Sequence, residues 1–354
     1  MSARFAAILV VLLAILGGAA LVFQYQERSR RADNVATLGQ PLVRDLKAAD
    51  IAAIRIVEPK ATLTLERKES GWVIPERGGF PADVGKVREF VVKVLGLKVG
   101  QSEPVGDKDR ARLNLDHSAT RVDFLAAETK PLATLLVGKK YFKREVDNPD
   151  KAPGDGRFVM LPGDTKTVYI VSDPLRQAST KSADWIDHTS FQVEKVKTLE
   201  VRYPDGGRWR IERDADNSEW RLAGAKGDEK LDVSRANAAS YSLSLLELAD
   251  VAPKDVKDTG LDNPTLVDAT TLDGLSYAIK VGKLAGDNYY VTFKFSGTPR
   301  ASSDKNDAER IKKIEERLPR DKLLSEHILL IAKSKLDDTL KKRSELLEKK
   351  DAAK

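Results

Sequence analysis

The sequence predicts an α+β protein with an N-terminal transmembrane helix, two tandem repeats of a mostly antiparallel sheet with one main helix each, and a C-terminal helical tail. Three observations lead to this prediction: an uncharged apolar run near the start, a pattern of strands and turns that occurs twice, and a charged final segment without glycine. The expected segments are a membrane anchor at 1–31, a first repeat with its linker at 32–190, a second repeat at 191–300 and a tail at 301–354.

Composition narrows the chemistry that the chain can carry. The 354 residues include no cysteine and three histidines, so disulfides, thiolate metal sites and a cysteine nucleophile are excluded. The net charge of +6 is small against 60 basic and 54 acidic side chains, so no nucleic-acid partner is expected. A content of 41% hydrophobic residues is sufficient for packed cores.

Residues 5–26 carry no charged side chain. We interpret them as the segment that lies in the membrane. A helix of this length is about 33 Å long, enough to cross a hydrocarbon core of about 30 Å. The alternative is a cleaved secretory signal, because Gly18-Ala19-Ala20 resembles a cleavage site. Since the apolar run continues to Phe23, we expect an uncleaved signal-anchor.

Two features of the sequence predict opposite orientations of the anchor in the membrane. Arg28, Arg30 and Arg31 after the run favour a cytoplasmic C-terminal flank. Only four residues precede the run, and such short N-termini commonly stay inside. We therefore expect the body on the extracytoplasmic side.

The body contains an internal repeat. Pro59 and Trp72 recur as Pro204 and Trp220, at distances of 145 and 148 residues, with an alternating apolar strand before each proline. Asp83 and Asp232 each precede a helical stretch, where an aspartate can cap the first amides. The tripeptides Val137-Gly138-Lys139 and Val281-Gly282-Lys283 end the paired strands that follow. This shared order indicates duplication.

Two of these matched pairs also allow a functional interpretation. Trp72 and Trp220 would make paired stacking platforms, but the same core residue used twice is the simpler explanation. Gly138 and Gly282 would belong to a site, but a glycine turn at the end of a strand is the simpler one. Both pairs, with Asp83 and Asp232, are therefore predicted to be structural.

The tail combines many charges with an apolar stripe formed by Leu336, Leu340 and Leu347. One interpretation is a solvated amphipathic helix that folds back on the body. The other is a partner-binding or short coiled-coil helix.

The nearest approach to a cluster of reactive residues is Asp184, Asp187 and His188, in the linker between the repeats. Asp184 and His188 would share a face of a helix, so metal binding is conceivable. The alternative is that Trp185 and Ile186 anchor the linker in a core while the polar residues point outward. No catalytic motif is recognisable, so we predict no enzyme, no cofactor and no metal.

The matched strands, the Trp72 strand, the Asp83 helix, the Leu115-Asp116 turn and the Val137-Gly138-Lys139 strand end resemble the domain of unknown function 4340 family. The resemblance covers roughly residues 1–350, with two copies of the domain. It implies a single-span bacterial inner-membrane protein with a periplasmic body, often encoded beside ABC-transporter components of the gliding-motility type. The family has no agreed catalytic or ligand residues. His327-Ile328 departs from the aromatic strand expected near the end.

Two functions from different classes follow. The leading hypothesis is a non-enzymatic, membrane-tethered interaction module, an auxiliary subunit that contacts a transporter permease or ATPase or other envelope subunits. The alternative is an envelope glycan-binding protein or hydrolase that works in the cleft between the repeats.

Overall fold

The computed structural model describes residues 38–300 and 307–348, together with Gly18. Apart from Gly18, the predicted anchor at 5–26 lies outside the described residues. In the described ranges, no helix has both the length and the apolar character needed to cross a membrane. Residues 38–72 and 84–180 form one compact unit, and residues 73–83 and 181–348 form a second, as far as they are described.

The first sheet has nine antiparallel strands in the order β4-β3-β2-β1-β6-β7-β8-β9-β5. Their bounds are β1 Ala53–Glu58, β2 Ala61–Lys68, β3 Gly71–Ile74, β4 Phe80–Pro81, β5 Gln101–Pro104, β6 Thr120–Leu125, β7 Pro131–Tyr141, β8 Gly156–Leu161 and β9 Asp164–Val171.

The second sheet has eight antiparallel strands in the order β12-β11-β10-β14-β15-β16-β17-β13. Their bounds are β10 Val196–Arg202, β11 Arg208–Glu212, β12 Arg221–Leu222, β13 Leu248–Val251, β14 Thr265–Thr271, β15 Leu275–Ala285, β16 Asn288–Gly297 and β17 Leu329–Ala332. If β4 is set aside, the two sheets have the same strand order, so each strand of one sheet has an equivalent in the other.

Within residues 38–300 and 307–348, five α-helices accompany the strands. They are α1 Val84–Leu95, α2 Asp107–Arg112, α3 Val233–Tyr241, α4 Asp307–Ser325 and α5 Lys333–Leu336. Short 3₁₀ turns occur at Ala48–Asp50, Pro75–Arg77, Ala127–Thr129, Ser182–Trp185, Ser242–Ser244 and Arg343–Leu346. Helices α1 and α3 are equivalent, because α1 is the first α-helix after Trp72 and α3 is the first α-helix after Trp220. The α+β prediction is confirmed at this level: mostly antiparallel sheets with few helices.

Alternation of apolar and polar residues explains the register of the strands. In the first sheet, Ile54 lies opposite Leu65, and in the second, Leu199 lies opposite Ile211. All four side chains are fully buried. A slip of one residue would turn each apolar set toward solvent, so the pattern fixes the pairing.

Helix α1 packs with one face inward. Val87, Phe90, Val91 and Val94 are buried, at the spacing of successive turns of one helix face. Phe90 stacks on Phe124 of β6 with the ring centroids 6.1 Å apart. This contact joins the helix to the centre of the first sheet.

The prediction of a C-terminal helical tail is only partly right. Helix α4 lies between β16 and β17 in the sequence, and β17 then inserts between β16 and β13 as an internal strand of the second sheet. The described part of the predicted tail therefore completes a sheet, and a strand is present at Leu329–Ala332, directly after His327-Ile328. Leu329 and Ile331 alternate into the core, and pairing on both sides outweighs the local helical pattern.

The prediction that Gly138 and Gly282 form turns at the ends of strands is wrong. Strand β7 continues to Tyr141 and β15 to Ala285, so both glycines lie within strands. The register shifts between Val137 and Lys140 and again between Val281 and Leu284, as at β-bulges.

Candidate functional site

The predicted polar cluster lies in the segment that enters the second unit. Trp185 and Ile186 are fully buried, whereas Asp184, Asp187 and His188 lie on the exposed side. The two apolar side chains therefore hold this segment in a core.

Asp187 is part of an anchor for helix α4. Arg320 Nη1 lies 3.1 Å from Asp187 Oδ2, and Arg320 Nη2 donates to Thr189 O at 2.6 Å. Burial acts to raise the pKa of Asp187, but hydrogen bonds from Thr189 and the charge of Arg320 leave it lowered. Asp187 is thus an anion at neutral pH that is already paired with a helix side chain.

His188 contacts backbone instead of either aspartate. Its Nδ1 lies 2.7 Å from Leu248 O, and Leu248 N donates to His188 O at 2.9 Å. Over 38–300 and 307–348, no group of three His, Cys, Asp or Glu side chains is arranged to hold a metal ion. Asp187 and His188 therefore have different hydrogen-bond partners.

A buried polar network that sequence inspection missed lies next to this segment. Ser182 is fully buried and donates to Asp250 Oδ2 at 2.7 Å. Arg77 Nε donates to Ser182 Oγ at 2.9 Å, so one hydroxyl joins a cation and a carboxylate from distant parts of the sequence. No sequence signal identifies it, because Arg77, Ser182 and Asp250 lie far apart in the sequence.

The repeat-equivalent residues differ in their surroundings. Trp220 is buried and its Nε1 donates to Asn237 Oδ1 at 2.9 Å, whereas Trp72 is half-buried. Asp232 caps α3, with its Oδ1 accepting from Arg235 N at 3.2 Å. Asp83 directly precedes α1, and its amide donates to Trp185 O at 2.7 Å. The two tryptophans therefore differ in how deeply they are buried.

An open cleft of about 410 Å³ lies beside α3 in the second unit. This helix cleft is lined by residues that include Glu194, Arg213, Asp216, Asn237, Ser240 and Tyr241. Tyr241 is 63% exposed, and Leu245, which follows the end of the helix, is 47% exposed. Large apolar groups left in solvent beside a concave surface are typical of binding sites.

The wall of the helix cleft is held rigidly. The guanidinium carbon of Arg213 lies 4.6 Å from the centroid of the Trp220 ring, and Arg213 Nε donates to Val196 O at 2.8 Å. Arg213 Nη2 also lies 2.7 Å from Asp216 Oδ1. Charged groups at the wall are therefore positioned by partners before any ligand arrives.

The exposed positions of α3 match those of α1. Val84 and Val92 are exposed on α1, and Val233 and Tyr241 are exposed on α3, in each case eight positions apart. Only α3 has an aromatic ring at the second position. The sequence could have indicated this surface, because Tyr241 interrupts an otherwise small and polar helix face.

Two antiparallel sheets with the same strand order, each with an equivalent helix, define an α+β or mainly β protein with an open cleft on its second unit. The chain belongs to a family described as Domain of unknown function (DUF4340), whose model matches residues 72–264, more than half of the chain. No curated protein and no solved structure matches it.

Proposed function

We propose that this chain is a non-enzymatic, membrane-tethered interaction module, an auxiliary subunit of an ABC-type transport complex of the gliding-motility kind. The observation that carries the proposal is the exposed pair of Tyr241 and Leu245 at the end of α3, beside the helix cleft. The occupant of this surface is a permease subunit of the transporter.

The chemistry of this surface suits a protein partner. Tyrosine is enriched among the residues that dominate binding energies, because its ring buries a large area with few rotamers to order. Glu194 and Arg213 line the same cleft as the ring, and each has a partner, Arg317 for Glu194 and the carbonyl of Val196 for Arg213. An apolar centre with a charged rim is the usual anatomy of an interface.

Two parts of the proposal concern the rest of the chain. The equal strand order of the two sheets supports tandem duplication of the family's domain. The apolar run at 5–26 supports a single-pass anchor in the bacterial inner membrane with a periplasmic body. Alkaline phosphatase fused to the C-terminus should be active in that orientation, and an inactive fusion beside an active cytoplasmic reporter would overturn it.

Site-specific crosslinking in membranes tests the docking surface. A photoreactive amino acid is placed at Tyr241 of the full chain and, as the matched control, at Val92, the equivalent position of α1. Capture after irradiation should recover transporter permease subunits from the Tyr241 variant and much less from the Val92 variant. Recovery of this chain alone, or equal recovery from both positions, would contradict the proposal.

A second candidate function rests on the same helix cleft. The carboxylates of Glu194 and Asp216 face the cleft together with the exposed ring of Tyr241, a combination that suits glycan binding or hydrolysis. Titration with peptidoglycan fragments would then give saturable binding that Tyr241→Ala abolishes. Crosslinking to a permease with no glycan binding decides for the interaction module.

A further inference from the structure

A second cleft of the second unit has a different chemistry. This basic cleft has a volume of about 620 Å³ and is lined by residues that include Glu200, Arg208, Trp209, Arg210, Lys226 and Arg343. Four cations thus face one carboxylate. We propose that the basic cleft binds a phosphate-bearing ligand, an inference that is independent of the proposed docking surface.

One of the four cations, Arg208, has no counterion in the described part of the chain. Arg210 Nη2 lies 3.3 Å from Glu212 Oε2, and Arg343 Nη2 lies 2.7 Å from Glu229 Oε2. The charge of Lys226 acts on Glu229 as well, where it helps to lower the pKa of that carboxyl. Arg208 forms no ion pair with a described residue. The cleft therefore has positive charge that is not neutralised within the described residues.

The position of Arg208 adds an unfavourable contact. In the register of β10 and β11, Arg208 lies directly opposite Arg202. Like charges at directly opposite positions destabilise an antiparallel pair. Arg202 is itself paired with Asp268 and Glu200, which reduces this repulsion, whereas Arg208 has no ion-pair partner among the described residues. A bound anion would supply that partner.

The fold does not require arginines at these positions. In the first sheet, the equivalent pairs are Val57 with Thr62 and Arg55 with Thr64. Strand β2 thus carries threonines where β11 carries Arg208 and Arg210. Since both sheets form with the same strand order, the two arginines serve something other than the architecture.

The cleft is also preorganised. Arg343 Nη2 donates to Gly224 O at 2.9 Å, and its Nη1 donates to Ala223 O at 3.4 Å. The buried indole of Trp209 donates through Nε1 to Lys341 O at 2.7 Å, which holds the 341–343 segment against β11. Side chains fixed in advance reduce the entropy cost of binding.

The charge count favours phosphate over a carboxylate. A phosphate monoester carries about −1.5 to −2 at neutral pH, with three acceptor oxygens. Guanidinium groups match such oxygens with two parallel hydrogen bonds, and lysine supplies a point charge. Several convergent cations around one carboxylate therefore suit a divalent anion best.

Calorimetric titration of the full chain in a non-ionic detergent tests this inference. The probes are glycerol 3-phosphate, a free phosphate ester, and dihexanoyl phosphatidic acid, a lipid with the same phosphate group; glycerol is the blank. Binding of both probes means that a free phosphate ester suffices. Binding of the lipid alone means that the source is a lipid headgroup.

The key variant carries Arg208→Thr and Arg210→Thr, the residues found at the equivalent positions of β2. It should raise the dissociation constant at least about tenfold, because two guanidinium groups that donate charge-assisted hydrogen bonds to the phosphate are lost. Lys312→Thr with Lys313→Thr on the exposed side of α4 is the matched control and should bind normally. Lys226→Gln, which leaves the sheet untouched, should also weaken binding. No binding of either probe by the unmodified chain, or equal weakening in the control, would overturn the inference.

Discussion

The carbonyl oxygen of Leu113 lies against the backbone of Gly138 and accepts a hydrogen bond from the next amide, Lys139 N, at 2.8 Å. The second unit repeats this contact, with Lys283 N donating to Thr259 O at 2.9 Å beside Gly282. A Cβ atom at either glycine would come closer to that carbonyl than side chains tolerate. Each unit thus fastens a loop onto a strand through a glycine.

Gly138→Ala and Gly282→Ala should each lower the free energy of unfolding by about 1–3 kcal/mol, since the loop must move away from the strand. Urea unfolding of the purified chain followed by circular dichroism measures this effect. Gly163→Ala is the control, because a Cβ atom there meets nothing within 4 Å. Equal effects at all three positions would show that the close contact is unimportant.

Asp232→Ala should destabilise the second unit by about 1 kcal/mol, because it removes the side-chain cap of α3. Asp232→Asn should cost less, since its amide oxygen can still accept from Arg235 N. Thermal unfolding of both variants gives the comparison. If the two variants lose the same stability, the ion pair between Asp232 and Arg235 matters more than the cap.

Asp321 should make stability depend on pH. The side chain is fully buried, and its Oδ2 lies 3.3 Å from Arg317 Nε. Burial raises the pKa of Asp321 to about 6, and the charge of Arg317 opposes this only in part. Between its ordinary pKa and this value, the folded chain binds more protons than the unfolded chain. Stability from this group therefore rises as pH falls from 7 to 5.

The matched measurement is urea unfolding at pH 7 and pH 5 for the unmodified chain and Asp321→Asn. The unmodified chain should gain about 1 kcal/mol relative to this variant on acidification. Asp255→Asn, at an exposed position, should follow the unmodified chain. Parallel pH profiles for the chain and Asp321→Asn would contradict the prediction.

Ser182→Ala should lower the free energy of unfolding by about 1–3 kcal/mol, because it leaves Arg77 and Asp250 without their shared hydroxyl. The exposed Ser234→Ala on α3 serves as the comparison and should change stability little. A loss at Ser182 no larger than that at Ser234 would mean that water replaces the hydroxyl at no cost.

Local patterns predicted much of the fold. The alternation around Ile54 and Leu199 located equivalent strands, and the aspartate at 232 marked the start of α3 as a cap. These features act through near neighbours, either across a hairpin or within one helical turn. Sequence spacing is therefore sufficient to find them.

Contacts between distant segments were beyond such reasoning. Strand β17 has a short apolar alternation inside a charged segment, and only pairing with β16 and β13 makes it a strand. The bulge at Gly138 depends on a loop more than twenty residues away in the sequence. Likewise, the basic cleft combines β11 with Arg343 from the far end of the chain.

The sequence by itself determined the apolar run at 5–26, the repeated order of strands and helices, and the fully buried Trp185 and Ile186. The tertiary structure decided which charges meet: Asp187 pairs with Arg320, whereas Arg208 faces Arg202. The physical reason is range. Hydrophobic periodicity is a property of consecutive residues, but electrostatic partners are set by distances that exist only once the chain has folded.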